Sequence, residues 1–168
     1  MLCKPILLLL LNCALAFAQM QKSDELKLPG QLSETEAQAM LRERNAKPHV
    51  ETALRLAVTR LTSALKNTQE HHYQAAAQDV DVYTALVLYA DAYTRQLPAN
   101  QNKDRNHCFK KLEQIIFKQT RTMETVQREL PYEYRDAALV KFSDVRKVRV
   151  RALDALLGGG KIINSSNE

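Results

Sequence analysis

The chain has 168 residues, a formal net charge of +5, four glycines, three cysteines and no tryptophan. That length suits a single domain with a real apolar core. Once the N-terminus is discounted one thiol remains, which excludes a fold stapled by internal disulfides.

The chain opens MLCKPILLLLLNCALAFA. Lys4 supplies a short basic start, residues 6–11 are an unbroken apolar run, and Ala16-Phe17-Ala18 places small residues where a signal peptidase inspects them. Polar Gln19, Gln21, Lys22, Ser23 and Asp24 follow at once. This is the pattern of a secretory signal peptide over 1–18, a short uncleaved anchor being the alternative. No other segment approaches the roughly 20 apolar residues of a transmembrane helix, so no span is expected in the mature chain. Removal of the leader takes Cys3 and Cys13 with it and leaves 168 − 18 = 150 residues.

Residues 19–32 read as a flexible leader. Ser33 with Glu36 three residues on forms a capping box, which starts a short helix over 34–46. From Gly30 to Gly158 there is no glycine, and Pro48, Pro98 and Pro131 alone interrupt that span. Helix interiors exclude both residue types, so the prolines mark segment ends. The next segment, 49–97, would run about 73 Å as one helix. The polar stretch Asn67-Thr68-Gln69-Glu70-His71-His72 divides it, although the apolar phase carries almost unbroken across and a single helix stays open. Leu54, Val58, Leu61 and Leu65 make one stripe before the division. Val80, Tyr83, Val87 and Ala90, with Leu86 and Tyr93 alongside, make another after it.

Residues 98–103 (PANQNK) read as a loop, and Asp104 as the cap of the following helix. Phe109, Leu112, Ile116, Met123 and Val126 share one face of that helix, and Leu130-Pro131 ends it. Leu139, Phe142, Val145, Leu153 and Leu156 stripe the last helix. Gly158-Gly159-Gly160 stops it, and 159–168 reads as a disordered tail. The expected fold is all-α: an antiparallel up-down bundle of four long helices plus one short N-terminal helix, spanning 33–158.

Candidate chemistry is sparse. Cys108 follows His107 at the edge of an apolar face, where a thiol acts as a small hydrophobe. A helix start can also lower its pKa toward reactivity, and pairing between chains is a further option. His49, His107 and Cys108 are the one set able to meet at a common end of the bundle as metal ligands. His71 and His72 belong to the opposite end, about one helix length away. A glycine-rich phosphate loop, G-x-S-x-G, H-E-x-x-H and C-x-x-C are all missing from the sequence, so no catalytic residue and no cofactor is assigned. Charge is asymmetric: residues 19–99 carry 9 basic and 10 acidic side chains, residues 100–168 carry 14 and 9. Lys103, Arg105, Lys110 and Lys111 cluster at the start of one helix. Arg146, Lys147, Arg149 and Arg151 cluster late in the next. Side by side, the two clusters would make a basic patch. For an exported chain, that patch points to an anionic surface or an envelope protein rather than nucleic acid.

ALRLAVTRLTSAL (53–65) followed by VYTALVLYADAY (82–93) resembles the helical-hairpin domains of unknown function found in bacterial exported and envelope proteins. Leu54, Leu56, Ala57, Arg60 and Leu61 match their first helix, and Tyr83, Leu86, Val87 and Ala90 their second. The resemblance implies a bacterial envelope setting and no particular activity; the signal peptide implies a periplasmic or extracellular location. The expected function is a non-enzymatic module that binds a partner or self-associates. The alternative is a small-ligand or metal-binding bundle with a cleft lined by Tyr83, Tyr89, Tyr93 and Phe142.

Overall fold

The computed structural model describes residues 26–158, which form five α-helices and one 3₁₀ turn, with no strand among the described residues. The expected signal peptide (1–18) and tail (159–168) lie outside them. Of the leader expected over 19–32, residues 26–32 are described, and Leu26, Leu28 and Leu32 pack against the core.

Helix α1 (Glu34–Arg42) begins at the capping box read from the sequence: the Ser33 hydroxyl accepts from the Glu36 N–H, and the Glu36 carboxylate accepts from the Ser33 N–H. It stops four residues short of the expected 46, because Glu43 and Asn45 take extended backbone conformations. Helix α2 (Ala46–Gln69) therefore starts three residues earlier than Pro48 suggested. Pro48 sits inside its first turn, where the missing N–H costs nothing. The division within 49–97 falls where the polar stretch placed it. His71 turns the chain with a left-handed φ of 61°, a conformation histidine tolerates better than most residues. Helix α3 (Tyr73–Gln96) follows.

The loop expected over 98–103 is shorter. A 3₁₀ turn (Ala99–Gln101) feeds directly into helix α4 (Asn102–Glu129). Asp104 is not the cap. It lies in the first turn, behind Gln101 at the cap position, and its carboxylate pairs with Lys47 of α2 at 3.0 Å. Helix α5 (Tyr132–Leu156) follows after Leu130-Pro131.

The five helices pack around one core that includes Leu54, Leu61, Tyr83, Leu86, Leu112, Ile116, Met123 and Phe142. Helix α2 touches α3 and α4; α5 also touches α3 and α4; α3 meets α4 lightly; α1 lies on α2. No contact joins α2 to α5 among the described residues. The pairs Lys47–Asp104 and Glu51–His107 climb α2 and α4 together. Asp81–Lys141 and Asp91–Arg151 climb α3 and α5 together. Alanines 53, 57 and 64 of α2 and 76 and 90 of α3 are fully buried, which lets those two backbones approach closely.

The stripe of α4 is buried as expected. That of α2 runs through Val50, Leu54, Ala57, Leu61, Ala64 and Thr68, leaving Val58 on the exposed side. In α5 the buried positions are Ala138, Phe142, Val145, Val148 and Ala152, while Leu139 and Leu156 face solvent.

Candidate functional site

Helix α2 brings His49 to the end of the bundle where α3 finishes and α4 begins. Its Nδ1–H donates to the Glu43 carbonyl at 3.0 Å, so in the neutral ring Nε2 accepts the Tyr89 hydroxyl at 2.8 Å. Tyr93 stacks on the imidazole with centroids 4.5 Å apart. Both ring nitrogens are thereby committed, and no lone pair is left for a metal. Burial pushes the Tyr89 phenol up to about 12. Burial also raises Tyr93, helped by neighbouring Cys108.

Cys108 sits against the first turn of α2, its thiol 4.0 Å from the Ala46 carbonyl and 1% exposed. The sequence allowed the helix start to lower its pKa. Burial wins instead, with the carboxylates of Asp104 and Glu51 adding to it, and the thiol is pushed up to about 11. Such a thiol is protonated at neutral pH and packs as an apolar group. His107 faces outward, and its Nε2 meets Glu51 Oε1 at 3.1 Å, an oxygen also held by Lys111 at 3.4 Å. The hydrogen bond from His107 and the Lys111 ammonium hold the Glu51 carboxyl below its usual range. His49, His107 and Cys108 thus share one end of the bundle, each engaged elsewhere. Among the described residues no three His, Cys, Asp or Glu side chains gather as a metal set would require.

An open pocket of about 670 Å³ caps that end. Arg44, Lys47, Tyr93, Gln96, Gln101 and Asp104 line it. The interior offers no such space to Tyr83 and Phe142, which meet edge to face in the core with centroids 6.2 Å apart and no exposure. Burial drives the Tyr83 phenol above its usual range, and its hydroxyl reaches the Met123 sulfur at 3.5 Å. A second opening of about 730 Å³ lies at the far end, beside His71, His72, Glu133 and Tyr134.

Two polar networks were not anticipated. Arg60 grips Glu36 of α1 through two nitrogens, at 2.8 and 2.6 Å, and reaches Asp79 of α3 with a third, at 2.9 Å. Ser63 and Asn67 complete the Asp79 carboxylate, at 2.6 and 2.9 Å. Arg60 holds the Glu36 carboxyl below its usual range and is itself raised by it. On α3, Asp91 is 1% exposed and its Oδ2 takes Arg151 at 2.7 Å and Arg95 at 3.3 Å. Its Oδ1 is buried with no partner, as is Gln119 Oε1 on α4. The available signal was an aspartate inside each apolar stretch of α3, which needs a donor wherever it is buried.

The eight cations of the expected patch lie on the neighbouring helices α4 and α5, and five of them are engaged by other side chains. Arg151 turns to Asp91 on α3; Arg149 turns to Glu113 on α4, at 3.1 Å, and lies over the Phe117 ring at 4.6 Å. Lys111 goes to α2, Lys147 to Asp144 on its own helix, and Arg105 to the Asn102 side chain. Lys103, Lys110 and Arg146 have no ion pair among the described residues. No described helix is long and apolar enough to cross a membrane. Compared with family models, curated proteins and solved structures, the chain matches none.

Proposed function

We propose that this chain is an exported, non-enzymatic interaction module of the bacterial envelope, built as an up-and-down bundle of four long helices with α1 strapped across it. The leader sequence and the resemblance of 53–93 to helical hairpins of envelope proteins support the location. The observation that carries the reading is how the buried polar groups are spent. His49, Asp79 and Cys108 all serve contacts between helices, which leaves recognition to the surface. Lys103, Lys110 and Arg146 offer that surface cations not neutralised by a described neighbour, suited to an anionic lipid face or an acidic envelope protein.

Co-sedimentation with phosphatidylglycerol vesicles, and pull-down from envelope extract, test the reading. Binding should weaken as salt rises and fall with Lys103→Glu, Lys110→Glu and Arg146→Glu. Binding indifferent to salt and to all three reversals refutes the electrostatic part. The second reading, a small-ligand bundle, rests on the end pocket beside Tyr93, where Arg44 and Lys47 would select an anion. Saturable thermal stabilisation by small carboxylates, lost in Lys47→Ala, would favour it.

A further inference from the structure

The described residues leave ten large hydrophobic side chains exposed, and six of them (Tyr132, Leu139, Val140, Val150, Leu156 and Leu157) lie on α5 or at its end. One helix therefore carries most of the exposed apolar surface. Four of the six form a single line: Tyr132 is 77% exposed, Leu139 45%, Val150 56% and Leu157 70%. Their spacings are seven, eleven and seven. Seven residues fall about 20° short of two turns and eleven pass three turns by about 20°, so all four stay within about 20° of one another. The mean direction of this line is about 130° around the helix from that of Ala138, Phe142, Val145, Val148 and Ala152, which α5 buries in the core.

The spacing reads the same in both directions. A surface for an unrelated partner has no need of that property, whereas an antiparallel two-fold contact between identical helices uses it to set apolar side chains opposite one another. We infer that α5 is a self-association surface on which a second copy of this chain docks antiparallel. Tyr132 then meets the partner's Leu157, and Leu139 meets the partner's Val150. The inference rests on the interaction-module reading and gives it one particular partner.

The strip is modest. A 25-residue helix is about 37 Å long and 10–12 Å wide, which buries roughly 800 Å² over both copies. That falls below a permanent interface, so the dimer is a weak, exchanging one. The chain's own segment 159–168 is a poorer occupant. Ile162 and Ile163 stand five and six residues past Leu157 and reach no farther than about 20 Å, whereas Leu139 is about 27 Å away along the helix.

Cysteine cross-linking of the full chain tests the register. A mixture of Leu139→Cys and Val150→Cys chains should give the mixed cross-linked dimer. Either alone should give at least about tenfold less, because equivalent positions would be about 16 Å apart. Sedimentation equilibrium should show monomer passing to dimer with concentration, and Leu139→Asp/Val150→Asp should stay monomeric with unchanged helical circular dichroism. A chain ending at Gly158 should dimerise as the full chain does. Monomer at every concentration, cross-linking of Leu139→Cys with itself, or dimerisation only after the tail is removed would each overturn the inference. None of these outcomes depends on vesicle or extract binding, so the broader reading is judged separately.

Discussion

Replacing Arg60 of α2 by Met would remove a side chain that bonds to both α1 and α3. Its three hydrogen bonds run to two carboxylates, Glu36 with a side chain 13% exposed and Asp79 with one 8% exposed. Charge-assisted bonds are worth about 1.5–3 kcal/mol each. They do not sum here, because the Arg60 side chain is 26% exposed and water already solvates part of it. Leaving Asp79 buried without its cation should cost about 2 kcal/mol, and releasing α1 about 1 kcal/mol more. The total of about 3 kcal/mol corresponds to a fall in Tm of about 6–12 °C for a chain of this size. Arg60→Lys keeps the charge but not the fork, and should lose about half as much. Urea unfolding followed by far-ultraviolet circular dichroism reads these differences directly. A double-mutant cycle sharpens the test: Asp79→Asn should cost less in the Arg60→Met background than alone, because no unpaired charge is then left inside. Arg60→Met within about 0.5 kcal/mol of the parent would refute the reasoning and reduce the network to surface decoration.

Glu36 also gives the α1 strap an acid limit. Arg60 holds its folded carboxyl below the ordinary glutamate range, so its contribution is complete above that ordinary range and is lost as pH falls through the lowered, folded value. Proteolysis near Glu43–Asn45 should therefore accelerate on acidification, and Glu36→Gln should be cut readily at neutral pH as well. Cys108, with its thiol near 11, should react with iodoacetamide at least about 100-fold more slowly in the native chain than in urea. Tyr89→Phe leaves His49 Nε2 without its donor and should cost about 1–2 kcal/mol in the same urea assay.

The sequence made some helices easier to orient than others. In α4 a single apolar face is set against a charged one, so Phe109 through Val126 could be placed correctly from periodicity alone. Helix α2 was read through its large residues. Its actual contact line uses Ala57 and Ala64, whose small side chains give little hydrophobic signal although they let α3 come close. Helix α5 has apolar residues on two faces, and periodicity cannot say which one is covered. Leu139 and Leu156 competed with Ala138 and Ala152, and the smaller residues won the interior. Asp104 looked like a cap by position, but its role depended on Lys47, 57 residues away in the chain. The reach of Arg60 and the partners that the basic residues find are likewise set by which helices become neighbours, and no local pattern records that.

The order of the helices explains why α5 has a face to spare. Around the bundle the contacts run α2, α3, α5, α4, so α2 and α5 stand at opposite corners. Helix α1 and Leu26, Leu28 and Leu32 gather beside the core, and α1 makes its helix contacts with α2 alone. Among the described helices only α3 and α4 contact α5. A sequence under pressure only to stay soluble would put charge there, as it does at Asp136, Lys147 and Asp154. Interrupting that charge with four aligned apolar side chains invites contact with other molecules. Their mirror-symmetric spacing then favours one contact, the helix with its own copy, over the many a generic apolar strip would permit.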